Sequence, residues 1–111
     1  MARYKLVVFT DATQGHDAEY HAWYNNKHLA DVVAIPGFIS AQRFRIATPL
    51  EGMMPNKYLA IYEMETDNLE KTVADMQSRS GTDAMPISPA INLDTANVAI
   101  FEACSELIAS P

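Results

Sequence analysis

Five side chains on one short stretch, His21, Trp23, Tyr24, Asn25 and His28, are the residues of this chain best suited to chemistry. A histidine with an unperturbed pKa of about 6.5 can take or give a proton near neutrality. Tyr24 lies one helical turn before His28, so on a helix the two side chains address the same small volume. A phenol beside an imidazole can donate a hydrogen bond to a carbonyl or enolate oxygen while the imidazole removes a nearby proton. This pattern nominates His28 as general base or acid and Tyr24 as oxyanion donor. His21 and Asn25 would orient a substrate, and Trp23 would wall the cavity. Each has a plainer role too. His28 near a helix C-terminus is a favourable cation for the macrodipole, Trp23, Tyr24 and Tyr20 are packing aromatics, and Asn25 can serve only to orient a histidine.

Other chemistries are disfavoured by spacing. His21 and His28 stand two turns apart, a rise of roughly 10 Å, too far to share an ion through bonds of about 2 Å. His16 is further still from His28, and no acidic cluster completes a site, so no metal is expected. Cys104 has nothing beside it in sequence to lower its pKa, and reads as a small core or near-core residue. There is no Gly-rich phosphate loop and no dinucleotide fingerprint, so no cofactor is expected.

These residues need a frame. Tyr4–Thr10 is β-branched and apolar, with no helix cap, and reads as a first strand. A helix follows from Asp17 to Val33, with Asp17 and Glu19 at its positive end and Pro36-Gly37 closing it. Phe38–Ile46 alternates as a second strand. The Pro- and Gly-containing loop Thr48–Asn56 leads to a third strand at Lys57–Met64. Asp67–Glu70 resembles a capping box, and Leu69, Val73 and Met76 mark the apolar face of a second helix ending before Gly81. An irregular stretch runs from Gly81 to about Ala96, and Asn97–Cys104 is the fourth strand. The order βαββαβ predicts an α+β, ferredoxin-like antiparallel sheet with both helices on one face.

On a wheel at about 100° per residue, His21, Tyr24, Asn25, His28, Leu29 and Val32 share one side of the first helix. Leu29 and Val32 should face the sheet, which carries the polar four inward. Buried polar groups need partners or a wet cavity, and a pocket between this helix and the sheet would supply one. Met53–Pro55 and Met85–Pro89 are placed to border its mouth. The strands also carry bulky residues on both faces: Leu6 and Val8 against Val7 and Phe9, Tyr58 and Tyr62 against Leu59 and Ile61. Two-sided hydrophobicity calls for two-sided burial, and a second copy of the sheet would provide it in a homodimer.

Composition limits the partners. Hydrophobic residues at 49% and charged residues at 20% describe one ordinary globular domain over all 111 residues. The net charge of −6 disfavours nucleic acid and anionic membrane surfaces, and Arg43 with Arg45 is a local basic pair whose two charges make a weak footprint. The first apolar run, Leu6–Phe9, is too short for a signal-peptide core or a membrane span, so a cytoplasmic protein is expected.

The run Tyr20-His-Ala-Trp-Tyr-Asn-Asn-Lys-His-Leu-Ala-Asp-Val-Val-Ala-Ile-Pro-Gly-Phe38 resembles the signature of EthD-like and related dimeric α/β-barrel proteins. Trp23, Tyr24, His28, Leu29, Pro36, Gly37 and Phe38 match the usual pattern; His21 stands where Asn is common and Ala30 where Pro is common. The motif covers under a fifth of the chain, and the element order extends the similarity over all of it. The resemblance implies a homodimer of ferredoxin-like subunits with a pocket between helices and sheet. It also implies a small-molecule substrate and cofactor-free acid/base chemistry of the lyase, isomerase, cyclase or decarboxylase type on an aromatic or polyketide-like compound. In such enzymes a His at the position of His28 and a cavity Tyr carry the proton transfers. Relatives of other kinds are heme-degrading or quinone-forming monooxygenases, or proteins with no assigned activity. A non-catalytic small-molecule-binding or stress-related dimer is the alternative.

Overall fold

The computed structural model describes residues 1–54 and 56–111. Strand β1 (Ala2–Thr10) pairs antiparallel with both β3 (Tyr58–Thr66) and β4 (Asn97–Phe101), and β2 (Phe38–Arg45) pairs with the far side of β3. The sheet order is therefore β2-β3-β1-β4. Helix α1 (residues 17–33) joins β1 to β2, and α2 (Leu69–Arg79) joins β3 to β4. This is the ferredoxin-like βαββαβ arrangement.

Register decides which residues meet the helices. Opposite one another on one face of β1 and β3 lie Leu6 with Tyr62, Val8 with Ala60, and Tyr4 with Met64. Leu6, Ala60, Tyr62 and Met64 are buried in one cluster with Tyr20, Tyr24 and Val32 of α1, and Leu69 and Met76 of α2 pack against it. The intervening residues form the outer face. There Val7, Phe9, Leu59 and Ile61 are half-buried, while Phe44 and Phe101 are exposed. Toward one end this face turns polar through the Arg3–Glu65 and Lys5–Glu63 ion pairs.

Local chemistry sets the element ends. Gly37 takes φ +98, a conformation that side chains disfavour, and lets the chain turn from α1 into β2 while its carbonyl accepts from Glu65 N–H at 2.8 Å. Asn68, rather than the expected Asp67, caps α2, its side chain accepting from Lys71 N–H at 3.0 Å. Asp11 ties the strand ends together by accepting from Asn56 Nδ2 and Lys57 N–H, each at 2.9 Å. Strand β4 stops at Phe101, the last residue paired with β1. Cys104 lies beyond it and is exposed, so the expectation of a core or near-core cysteine is corrected. Among the described residues no helix is long and apolar enough to cross a membrane.

Candidate functional site

Helix α1 is not a uniform α-helix. Its α-helical start, Asp17–Trp23, passes into a π turn at Tyr24–His28 and resumes as α-helix at Leu29–Val33. The Leu29 N–H bonds the Tyr24 carbonyl, five residues back. Each residue of such a turn advances less than the 100° of an α-helix. Residues five apart therefore come to lie over one another. That is how the Trp23 indole stacks on the His28 imidazole, with centroids 4.4 Å apart and planes inclined by 24°. The indole is held in turn by Nε1–H donating to the Pro86 carbonyl at 3.1 Å. Tyr24 meets His28 edge-on at 5.2 Å.

Beneath this turn lies a cavity of about 260 Å³ between the two helices, the sheet and the segment after α2. Its walls are mostly Leu6, Val8, Val32, Met76, Met85 and Ile87, and its polar groups come from Thr10, Tyr24, His28, Tyr62, Gln77 and Ser80. Three of these carry buried atoms with no hydrogen bond within 3.5 Å, Tyr24 Oη, Tyr62 Oη and His28 Nδ1, with the two phenols close enough to perturb each other. An unpartnered buried polar group costs about 1–3 kcal/mol, and native proteins keep few of them. All three residues line the same, mostly apolar cavity.

Electrostatics follow from burial. Burial lowers the His28 pKa to about 4, partly opposed by the Asp31 carboxylate, which raises it. The ring is therefore neutral at physiological pH. Burial likewise pushes the Tyr24 and Tyr62 phenols upward, Tyr62 strongly and with Tyr24 beside it adding to the effect. Both remain protonated donors. Asp31 accepts from Lys27 Nζ through Oδ1 at 2.9 Å, and its buried Oδ2 is a further unpartnered atom.

The structure places His28, Tyr24 and Trp23 on the cavity wall and leaves His21 and Asn25 elsewhere. The smaller angular step of the π turn winds His28 back toward Tyr24 and away from the azimuth of the other two. His21 and Asn25 instead hold Arg43: its Nη1 donates to Asn25 Oδ1 at 2.8 Å, and its Nη2 lies 3.1 Å from His21 Nδ1. His16 is exposed, 3.2 Å from Glu19 Oε2. Met85 and Ile87 border the cavity as their segment was expected to. The other expected mouth segment ends at Pro55, which lies outside the described residues, and Met53 and Met54 are exposed without lining the cavity. Among the described residues no group of three His, Cys, Asp or Glu is placed to hold a metal ion. Sequence reasoning missed Tyr62, whose strand alternation marks it as core without showing that its hydroxyl reaches a void. It also missed Asp31 as the charge nearest His28.

No protein-family model matches this chain, and no curated protein matches it significantly. Solved structures do. The heme-degrader MhuD from Mycobacterium tuberculosis, with two hemes bound in its active site, superposes with a TM-score of 0.59 at 19% identity, over 94% of this chain and 98% of that one. SnoaB, a cofactor-independent oxygenase from Streptomyces nogalater, gives 0.55 at 17% identity, over 96% and 98%. An EthD-family protein from Bacillus halodurans gives 0.52 at 15%, over 93% and 99%. At these identities the likeness is one of fold alone, the ferredoxin-like βαββαβ arrangement.

The His28 pKa yields a test that needs no substrate. The folded-state value of about 4 lies below the unfolded value of 6.5. Stability is therefore undiminished above pH 6.5 and is lost as pH falls, since the unfolded chain takes up the proton first. Between those limits the wild-type chain should lose up to about 3 kcal/mol more than His28→Phe. Urea melts of both proteins from pH 7 to pH 4 check this, and parallel stability curves contradict it.

Proposed function

We propose that the chain is a cofactor-independent acid/base enzyme acting on a small, apolar, aromatic or polyketide-like carbonyl compound held in the cavity under the π turn. The observation that carries this reading is the meeting of a half-buried imidazole, neutral at physiological pH, with two buried phenols on the wall of one mostly apolar cavity. His28 takes a proton from a carbon next to the substrate carbonyl, or from a phenolic hydroxyl. The negative charge passes to the substrate oxygen, where Tyr24 and Tyr62 donate hydrogen bonds. As that oxyanion forms beside His28, it raises the affinity of the imidazole for the proton, offsetting the low basicity of the free ring. Return of the proton to a different carbon is isomerisation, and expulsion of a β substituent with its bonding pair is a lyase step. In a decarboxylation His28 would take the carboxyl proton of a β-keto acid, CO₂ would leave with the C–C pair passing to the carbonyl oxygen, and the proton would return to the carbon. Asp31 stabilises the imidazolium in either case.

The fold is also that of oxygenases. Anion formation at His28 is equally a first step toward a cofactor-free reaction with dioxygen, and the likeness to SnoaB supports that second course. Heme suits the cavity poorly. About 260 Å³ is small for a porphyrin, and the walls carry no Arg or Lys to neutralise its two carboxylates.

The experiment is hydrogen–deuterium exchange on a panel of phenolic ketones and β-diketones in D₂O, followed by NMR, with dioxygen uptake monitored in parallel. The wild-type chain should accelerate exchange. His28→Phe should lose about 10²–10⁴-fold, and Tyr62→Phe about 10²-fold. A compound that binds in the cavity and exchanges no faster than in buffer would reduce the protein to a binding module.

The same proposal includes pairing through the outer sheet face, where Val7, Phe9, Leu59 and Ile61 present a continuous apolar surface. Sedimentation at micromolar concentration should give a dimer, and Ile61→Glu a monomer, since burying a carboxylate between two apolar sheet faces is costly. A wild-type monomer under the same conditions contradicts the pairing.

A further inference from the structure

We propose that the depression between α1 and the edge strand β2, walled by His21, Asn25, Arg43, Arg45 and Tyr58, is a second binding site that takes the carboxylate of a small aromatic acid. It is a concave space of about 350 Å³ on the flank of α1, and shares no lining residue with the cavity under His28. The proposal stands whether or not that cavity is catalytic.

Charge is the first argument. The chain carries a net −6, yet two arginines converge here, and among the described residues neither has a carboxylate partner. Arg43 is half-buried and rigidly placed. Its guanidinium carbon sits over three tyrosine rings, 4.4 Å from Tyr24, 5.1 Å from Tyr20 and 5.6 Å from Tyr58. Its hydrogen bonds go to neutral acceptors, Asn25 Oδ1 and His21 Nδ1, so the geometry is fixed while the charge is left uncompensated. A planar cation held this way is set up to receive a planar anion.

Ligand shape is the second argument. Tyr58, whose side chain lies on the same face of the sheet as Arg43 and Arg45, lines the same depression. An aromatic ring attached to the carboxylate can lie against the Tyr58 ring. Because His21 Nδ1 accepts from Arg43, its Nε2 carries the hydrogen and is a further donor. Burial, Arg43 and Arg45 lower the His21 pKa while Asp17 raises it. A bound carboxylate offsets the two arginines and moves that pKa upward.

The test is an NMR titration of the full-length protein with benzoate, with benzyl alcohol as the neutral control. Benzoate should saturate at millimolar concentration or below, shift the Arg43 Nε–H and His21 ring signals, and raise the His21 pKa. Benzyl alcohol should do none of these. Arg43→Met should weaken binding about tenfold or more, the loss of a charge-assisted pair. Arg45→Gln lies on an exposed side chain that holds no other group, so it preserves the fold and should weaken binding by a smaller factor. The proposal is overturned if benzoate fails to saturate, if benzyl alcohol binds equally well, or if the shifts gather on His28 and Tyr62 instead.

Discussion

The stack of Trp23 on His28 is the contact around which the rest of this molecule is arranged. It exists only because the helix backbone takes a π turn between them; five α-helical residues would send the two rings to different sides. The turn gives up α-helical hydrogen-bond geometry over one stretch. In exchange it lays an imidazole flat on an indole and sets that residue on the wall of the hollow beneath. Pro86, in the segment following α2, clamps the indole from outside. The second half of the fold thereby fixes the position of a side chain in the first.

Burial then makes the site what it is. An imidazole in apolar surroundings is held neutral, and phenols in the same surroundings are held protonated. A base that is not already protonated and donors that are not already ionised follow from desolvation alone. The cost is a set of unpartnered polar atoms that a purely structural core would have replaced with hydrocarbon. Asp31 moderates the effect by keeping one charge near the imidazole, itself tethered by Lys27 on the outer side of the helix.

Much of this was legible in the residues. Alternation in β1 and β3, the acidic start of α1 and the Pro36-Gly37 stop place the elements correctly. The four-residue spacing of Tyr24 and His28 puts them together. The π turn was not legible, because a wheel drawn at one fixed angle has no means of showing a turn of different pitch. That is why His21 and Asn25, which the wheel sets beside His28, are found around Arg43. Tyr62 reads as one more inward strand residue, since alternation gives a face and not the void that borders it. Arg43 and Arg45 read as a weak basic pair, and only the folded chain shows the tyrosine cage around one of them. Cys104 was misplaced because nothing in Glu102-Ala103-Cys104 marks the end of β4, whose last paired residue is Phe101.

The account rests on a neutral, half-buried imidazole at position 28, and that state can be read directly. Titration of the His28 ring by ¹H–¹⁵N NMR in the intact protein should give a pKa of about 4, with the ring signals shifted by the indole stacked on it. A midpoint near 6.5, with no ring-current displacement, would place the imidazole in water and contradict the site as described.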